Sequence, residues 1–126
     1  MKINKEKTMI TFDQIKQLLS LDIEGKYCFE IQFAVNGSEK FNFCWMGKLP
    51  DSKTAADVYW YGLTEDDENA YDFATFDEFA NAKVFDGKSL LDVWKDVRVK
   101  SINSCDPLEM IELYLDGKVP FTGAPQ

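Results

Sequence analysis

The chain of 126 residues has the length of one domain, and 45% of its residues are hydrophobic, which suffices for one core and argues against intrinsic disorder. Fourteen basic and 22 acidic residues give a net charge of −8. The excess lies in the second half, because residues 64–126 carry six basic and fourteen acidic side chains, against eight of each before them. Nucleic acids and anionic membranes attract basic surfaces, so this balance argues against both as partners.

Histidine is absent, and the three cysteines, Cys28, Cys44 and Cys105, lie far apart with no C-x-x-C pair. This usage predicts free thiols in a reducing cytoplasm and no structural zinc. Without histidine the chain lacks the commonest general base and every Ser-His or Cys-His nucleophile pair. We therefore expect no enzyme activity, no cofactor and no metal. No apolar run reaches the roughly 20 residues that span a bilayer, and residues 1–10 lack the apolar core of a signal peptide, so we expect a soluble, cytoplasmic chain.

The first predicted helix covers residues 12–20, where apolar residues recur at helical spacing after a capping box formed by Thr11 and Gln14. The period then changes to two, which predicts a half-buried strand over residues 26–36. A second alternating run follows a turn, with Phe41, Phe43 and Trp45 on one face.

These two strands are predicted to pair as a hairpin. A three-residue loop brings the aromatic faces together and sets Phe33 opposite Phe41, and Phe29 opposite Trp45. A two-residue turn would set Phe33 opposite Asn42 and send the aromatic side chains to different faces.

The remaining elements follow from turn residues, caps and periodicity. They are a third strand over 58–63, a turn over 65–69, a fourth strand over 71–75, helices over 76–82 and after Ser89, a charged edge strand over 97–102, and a last helix that begins at Pro107 and ends at Gly117. The pattern predicts a single α+β domain over residues 1–126: an antiparallel sheet of four to five strands with helices packed on one face, in the order α-β-β-β-β-α-α-β-α. Residues 1–10 and 118–126 are expected to be irregular or mobile.

Residues 82–89 match a relaxed phosphate-loop pattern that ends in Gly87, Lys88 and Ser89. The context is wrong for phosphate binding, since a helix precedes the loop and Ala82 replaces its first glycine. We favour a turn at Asp86 and Gly87 with Ser89 as the N-cap of the next helix.

The acidic stretch of Glu65, Asp66, Asp67 and Glu68, with Asp72 nearby, has three interpretations. Its spacing lacks the alternating acids and central glycine of an EF-hand, so calcium binding is disfavoured. A solvated turn is the simplest interpretation. The third is an electrostatic docking patch for a basic protein.

Tyr59, Trp60 and Tyr61 alternate along the third strand, so either Trp60 or the tyrosine pair lies on the sheet face away from the helices. These aromatic side chains either fill the core or form an exposed platform suited to protein interfaces and sugar stacking.

We therefore predict a non-enzymatic acidic binding module for a basic protein partner. A small, acidic, histidine-free α+β domain is the general build of immunity proteins and other small inhibitors, so an inhibitor or immunity-like role is one form of this prediction. The predicted partner-binding residues are Glu65, Asp66, Asp67, Glu68, Asp72, Tyr59, Trp60 and Tyr61. The alternative is a small-ligand or carbohydrate-binding domain that uses the exposed aromatic residues.

Overall fold

The computed structural model of the protein describes residues 10–21, 28–50, 56–65 and 69–115. The elements are α1 (Phe12–Leu19), β1 (Phe29–Val35), β2 (Cys44–Pro50), β3 (Asp57–Gly62), β4 (Ala70–Phe73), α2 (Phe76–Asn81), α3 (Leu90–Val93), a 3-10 turn (Trp94–Asp96), β5 (Val97–Ile102) and α4 (Pro107–Leu115). This order and the α+β class confirm the prediction. The predicted end of the last helix at Gly117 and the predicted irregular termini lie outside the described residues, apart from Ile10.

All five strands form one antiparallel sheet in the order β4-β3-β2-β1-β5. Consecutive strands pair from β1 to β4, and β5 returns to lie against β1, with a register shift between Gln32 and Phe33. The predicted charged edge strand is therefore β5, and Arg98 and Lys100 on it are exposed. Charged side chains protect such an edge from pairing with another chain.

The helices cover one face of the sheet, here called the inner face. Tyr61 on β3 stacks on Phe79 of α2, with ring centroids 4.2 Å apart, and its hydroxyl donates to the Phe79 carbonyl at 2.7 Å. At the other end of the core, Phe29 meets Tyr114 of α4 edge to face at 5.4 Å. Aromatic packing of this kind adds to the burial of apolar area that holds the two layers together.

Helix α1 begins as its capping box predicts, since Thr11 Oγ accepts from the Gln14 amide and the Gln14 side chain accepts from the Thr11 amide. The helix is tied to the rest of the molecule at both ends. The Trp94 indole donates to the Ile10 carbonyl at 3.1 Å. At the other end the buried Lys48 ammonium donates to the Leu21 carbonyl at 2.8 Å and lies 3.6 Å from the Asp57 carboxylate.

The predicted register of the first hairpin is wrong. Phe33 pairs with Cys44, and Phe29 pairs with Lys48, so Trp45 pairs with Gln32 on the face away from the helices. The reason lies in the connection, which is eight residues long rather than three.

The connection is long because Phe41 folds into the core instead of continuing the strand. Its ring meets Phe85 edge to face at 5.4 Å, and its carbonyl accepts from the Val35 amide at 2.7 Å. An ion pair between Lys40 and Asp86 at 2.9 Å joins the same two segments at the surface. The smaller Cys44 and Met46 then take the inner-face positions of β2.

Candidate functional site

The face of the sheet opposite the helices, here called the outer face, carries the candidate site. Side chains alternate between faces along a strand, so the register fixes the outer-face set. It consists of Glu30, Gln32, Ala34, Trp45, Gly47, Leu49, Val58, Trp60, Gly62, Ala70, Asp72, Arg98 and Ser101. Every described helix packs on the inner face, which leaves Glu30, Leu49 and Asp72 exposed.

Two W-x-G tripeptides face each other at the centre of this surface. In the pairing of β2 with β3, Trp45 lies opposite Gly62, and Gly47 lies opposite Trp60. Each large indole therefore has a neighbour without a side chain. Pairing of an aromatic residue with a cross-strand glycine covers the backbone that the glycine leaves bare.

The Gly47 position is the tighter of the two. A Cβ atom at Gly47 would lie 1.9 Å from the Phe29 carbonyl oxygen and 2.9 Å from Cζ2 of Trp60. At Gly62 the nearest atom to such a Cβ would be the Trp45 Cβ, at 4.0 Å. Glycine is therefore required at position 47, where it lets the Trp60 ring lie close to the sheet.

A pocket opens beside the paired tryptophans, here called the outer-face pocket. It is a cavity of about 460 Å³ lined by Glu30, Phe43, Trp45, Trp60, Gly62, Thr64 and Glu65. Phe43 is 43% exposed and stands perpendicular to Trp45, with ring centroids 6.0 Å apart. A concave site with several aromatic walls and a few charged groups is the usual form of a ligand site.

The two carboxylates of the pocket come from separate parts of the chain. Glu30 lies on β1 in the row that also contains Gly47, Trp60 and Asp72, and Glu65 follows β3. Both side chains are exposed, and within the described residues neither carboxylate forms an ion pair. The pocket thus combines aromatic faces with negative charge that no described residue pairs.

The Trp60 indole N–H is shielded from solvent and has no acceptor among the described residues. A buried donor without a partner costs about 1–3 kcal/mol. Phenylalanine would cover Gly47 without that cost, but it would bury less ring area than tryptophan.

The structure separates the predicted aromatic triplet. Tyr59 and Tyr61 are buried on the inner face, whereas Trp60 is half-buried on the outer face. Burial raises the pKa of Tyr61 far above its ordinary value, and burial together with the Asp57 charge raises that of Tyr59. The two tyrosines belong to the core and offer a partner almost no surface. The choice that the sequence left open is settled in favour of Trp60.

The predicted acidic patch is described only in part. Glu65 lines the outer-face pocket, and Asp72 pairs with Trp60 across β3 and β4. Asp66, Asp67 and Glu68 lie outside the described residues. Among the residues that are described, no three carboxylate or cysteine side chains group as a metal site would require.

The segment that matches the phosphate-loop pattern folds into a turn held by its own backbone hydrogen bonds. Phe85 and Lys88 exchange two backbone hydrogen bonds, of 2.9 and 3.2 Å, around a turn in which Gly87 has a φ of 90°. Ser89 is the N-cap of α3 and shares a capping box with Asp92, as predicted. The Ser89 amide donates to the Asp92 carboxylate and lowers its pKa. Three amides of this segment, those of Phe85, Lys88 and Ser89, are thus engaged within the chain and do not point at a phosphate.

The three cysteines are free thiols, as the sequence predicts. Cys28 and Cys105 are exposed, whereas Cys44 is buried and its thiol donates to the Leu63 carbonyl at 3.3 Å. Burial raises the pKa of Cys44 to about 11. A protonated, shielded thiol is a structural group rather than a nucleophile.

The sequence pattern does not identify Glu30, Phe43 and Trp45 as members of the site. The predicted register sets Phe43 and Trp45 against the core, and Glu30 is then a lone exposed acid on its strand. A signal was present in the repeated W-x-G tripeptide at residues 45–47 and 60–62. Two such tripeptides on adjacent strands pair tryptophan with glycine in antiparallel register.

Comparison of the chain with protein-family models, with curated proteins and with solved structures finds no match in any of the three. No described helix combines the length and the apolar composition that a membrane crossing requires.

Proposed function

We propose that the protein is a non-enzymatic binding module that engages a basic protein partner through the outer face of its sheet. One observation carries the proposal: on a sheet face that no described helix covers, Trp45, Trp60 and Phe43 adjoin the Glu30 and Glu65 carboxylates, which no described residue neutralises. Aromatic side chains at the centre of a contact supply most of its binding energy. Carboxylates around them select a basic surface and accelerate its approach.

The charge of the whole chain supports this choice of partner. The net charge of −8 attracts a basic protein from a distance, and the acidic excess falls in the half of the chain that contains Glu65 and Asp72. Asp66, Asp67 and Glu68 follow Glu65 directly in the sequence and add to the negative charge at the same point of the chain. A small, acidic α+β domain is also the general build of inhibitors and immunity proteins, an analogy that rests on build alone. The cytoplasm is a compartment in which three free thiols persist.

The absence of enzyme activity is part of the proposal. The chain has no histidine, and in the described residues the side chains with strongly raised pKa values, Cys44 and Tyr61, lie in the core, away from the outer-face pocket. Neither is placed to exchange a proton with a bound molecule.

Carbohydrate binding is the second candidate. Trp45 and Trp60 share one open sheet face, and indole rings stack on the apolar faces of sugar rings. The two functions differ in their response to salt, because screening weakens a contact between opposite charges and leaves stacking on a neutral sugar unchanged.

The test uses a synthetic peptide of alternating arginine and glycine as the basic probe, followed by NMR of the tryptophan indole N–H groups. Trp94 is an internal control, since its indole donates to Ile10 on the helix side of the molecule. We expect the probe to shift the Trp45 and Trp60 signals, to leave Trp94 in place, and to bind more weakly as salt rises.

A charge-matched pair of variants separates the outer face from the net charge. Replacing Glu30 and Glu65 with glutamine should slow association and flatten its salt dependence, because charges at the edge of a contact act on the encounter rate. The control, Asp77→Asn with Glu109→Gln, removes the same charge from α2 and α4 and should have little effect. Equal loss in both variants, or equal shifts of all three indole signals, would contradict the proposal. Shifts with cellobiose that survive high salt would favour the carbohydrate function.

A further inference from the structure

We infer that the outer-face pocket is the recognition site for one arginine side chain of the basic partner. The inference rests on the proposed function and adds to it the chemical group that the pocket selects. It follows from three features of the pocket: its aromatic walls, its two carboxylates and the lack of a cationic occupant among the described residues.

The aromatic walls suit a flat, cationic group. Trp45 and Trp60 sit at diagonal positions on neighbouring strands, and Phe43 stands at 90° to Trp45 with ring centroids 6.0 Å apart. The face of an indole attracts a cation through its quadrupole, and a guanidinium also stacks on it as a plane. A side chain that enters between these rings therefore meets apolar surface along its methylene groups and a favourable surface at its charged end.

The carboxylates of Glu30 and Glu65 reach the pocket from two different segments, β1 and the residues after β3. Arginine presents five N–H donors in a rigid fork and is able to donate to two carboxylates while one face remains stacked. The ammonium group of lysine is a compact, strongly hydrated charge that gains less from a planar stack. The same lining therefore favours arginine over lysine.

The described part of the chain offers no internal occupant for the pocket. Arg98 is the single arginine of the sequence, and it pairs with Ala34, so β1 lies between it and Trp45. Lys40 is engaged with Asp86, Lys48 with Leu21 and Asp57, and Lys95 with Asp96. Within the described residues, no cation pairs with the carboxylates of the pocket, which leaves their charge for a cation from another molecule.

The experiment titrates the full chain with Nα-acetyl-arginine methylamide and follows the indole signals of Trp45, Trp60 and Trp94. The matched probes are the lysine analogue and the citrulline analogue, which has the shape of arginine without its charge. We expect the arginine probe to shift the Trp45 and Trp60 signals. We expect the affinity of the citrulline probe to be lower by at least about tenfold. The lysine probe should fall between them.

Variants then assign the effect to the carboxylates. Glu30→Gln together with Glu65→Gln should weaken binding of the arginine probe by about tenfold, the amount that 1.4 kcal/mol represents. Asp77→Asn with Glu109→Gln should change it by less than about twofold, since exposed charges on the helix side act only through a screened field. All four positions are exposed, so each variant is expected to fold.

The inference would be overturned if citrulline bound as tightly as arginine, if lysine bound more tightly than arginine, or if the two double variants did not differ. If the arginine-glycine peptide shifts the outer-face indole signals but the single arginine probe does not, the pocket assignment fails and the proposed function stands. If neither probe acts on the outer face, the proposed function fails as well.

Discussion

The two faces of the sheet both carry large aromatic side chains, and they use them differently. On the inner face Tyr61 is 1% exposed, stacks on Phe79 and places its hydroxyl on the Phe79 carbonyl, so each part of the side chain has a partner. On the outer face Phe43 is 43% exposed, and the Trp60 indole N–H has no acceptor among the described residues. The inner-face side chain is therefore satisfied within the fold, whereas the outer face keeps an exposed ring and a donor that no described residue pairs.

The contrast extends to charge. The charged side chain at an inner-face position, Lys48, is buried and satisfied by the Leu21 carbonyl and the Asp57 carboxylate. Glu30 and Glu65 on the other side have no such partner among the described residues. Charge that no described residue pairs, beside exposed aromatic surface, is the basis for proposing that this face contacts another molecule.

The largest effect on stability is expected at Gly47, which lies against both the backbone of β1 and the ring of Trp60. Gly47→Ala places a Cβ atom 1.9 Å from the Phe29 carbonyl oxygen, so β1 and β2 must move apart and Trp60 must leave its position. We expect the free energy of unfolding to fall by about 3 kcal/mol or more, measured by urea denaturation.

Gly62→Ala is the matched control, since it changes the same residue type on the same face. The nearest atom to its added Cβ is 4.0 Å away, which is ordinary contact, and the change in stability should stay within about 1 kcal/mol in either direction. Equal losses in the two variants would show that the close approach at Gly47 is not what fixes Trp60 against the sheet.

A smaller effect is expected when one polar atom is removed from an aromatic residue on each face. Tyr61→Phe leaves the Phe79 carbonyl without its donor and should cost about 1–2 kcal/mol. Trp60→Phe loses buried ring area but also removes an unsatisfied donor, so we expect no more than about 0.5 kcal/mol of net change. Thermal or urea unfolding of both variants measures the difference. A larger loss for Trp60→Phe would mean that its indole N–H has an acceptor.

The elements of this fold could be predicted from the sequence because each is specified locally. The capping boxes at Thr11 and Ser89 and the alternating apolar runs of the strands depend on residues only a few positions apart. The order of helices and strands follows from these local signals, and so does the α+β class.

The register could not be predicted, because it depends on a distant contact. Phe41 leaves the strand to meet Phe85, which is 44 positions further along the chain, and no local pattern shows that this contact outweighs a short hairpin loop. The predicted register places Phe43 and Trp45, two of the seven residues that line the pocket, on the wrong face. Trp60 was found because its position needed only the alternation within β3.

The buried Cys44 and the exposed Cys28 and Cys105 differ in reactivity, and this difference has no effect on stability at neutral pH. Cys44 faces the core with its thiol on the Leu63 carbonyl, and burial raises its pKa to about 11, whereas Cys28 and Cys105 are exposed. Alkylation of the native protein at pH 8 should therefore modify Cys28 and Cys105 and spare Cys44 until denaturant is added.

The raised pKa of Cys44 also predicts how the stability of the protein changes with pH. A thiol whose pKa is raised in the folded state holds its proton more tightly there, so its contribution to stability is complete below pH 9 and is lost as the pH rises from 9 to about 11. Ionisation of Tyr61 also lowers the free energy of unfolding in alkali, since burial raises the pKa of its hydroxyl as well. The Cys44 contribution is therefore the difference between the wild-type protein and Cys44→Ala, measured by urea unfolding at each pH. That difference should be constant up to pH 9 and should fall above it; a constant difference to pH 11, or rapid alkylation of Cys44 in the native protein, would contradict its burial against Leu63.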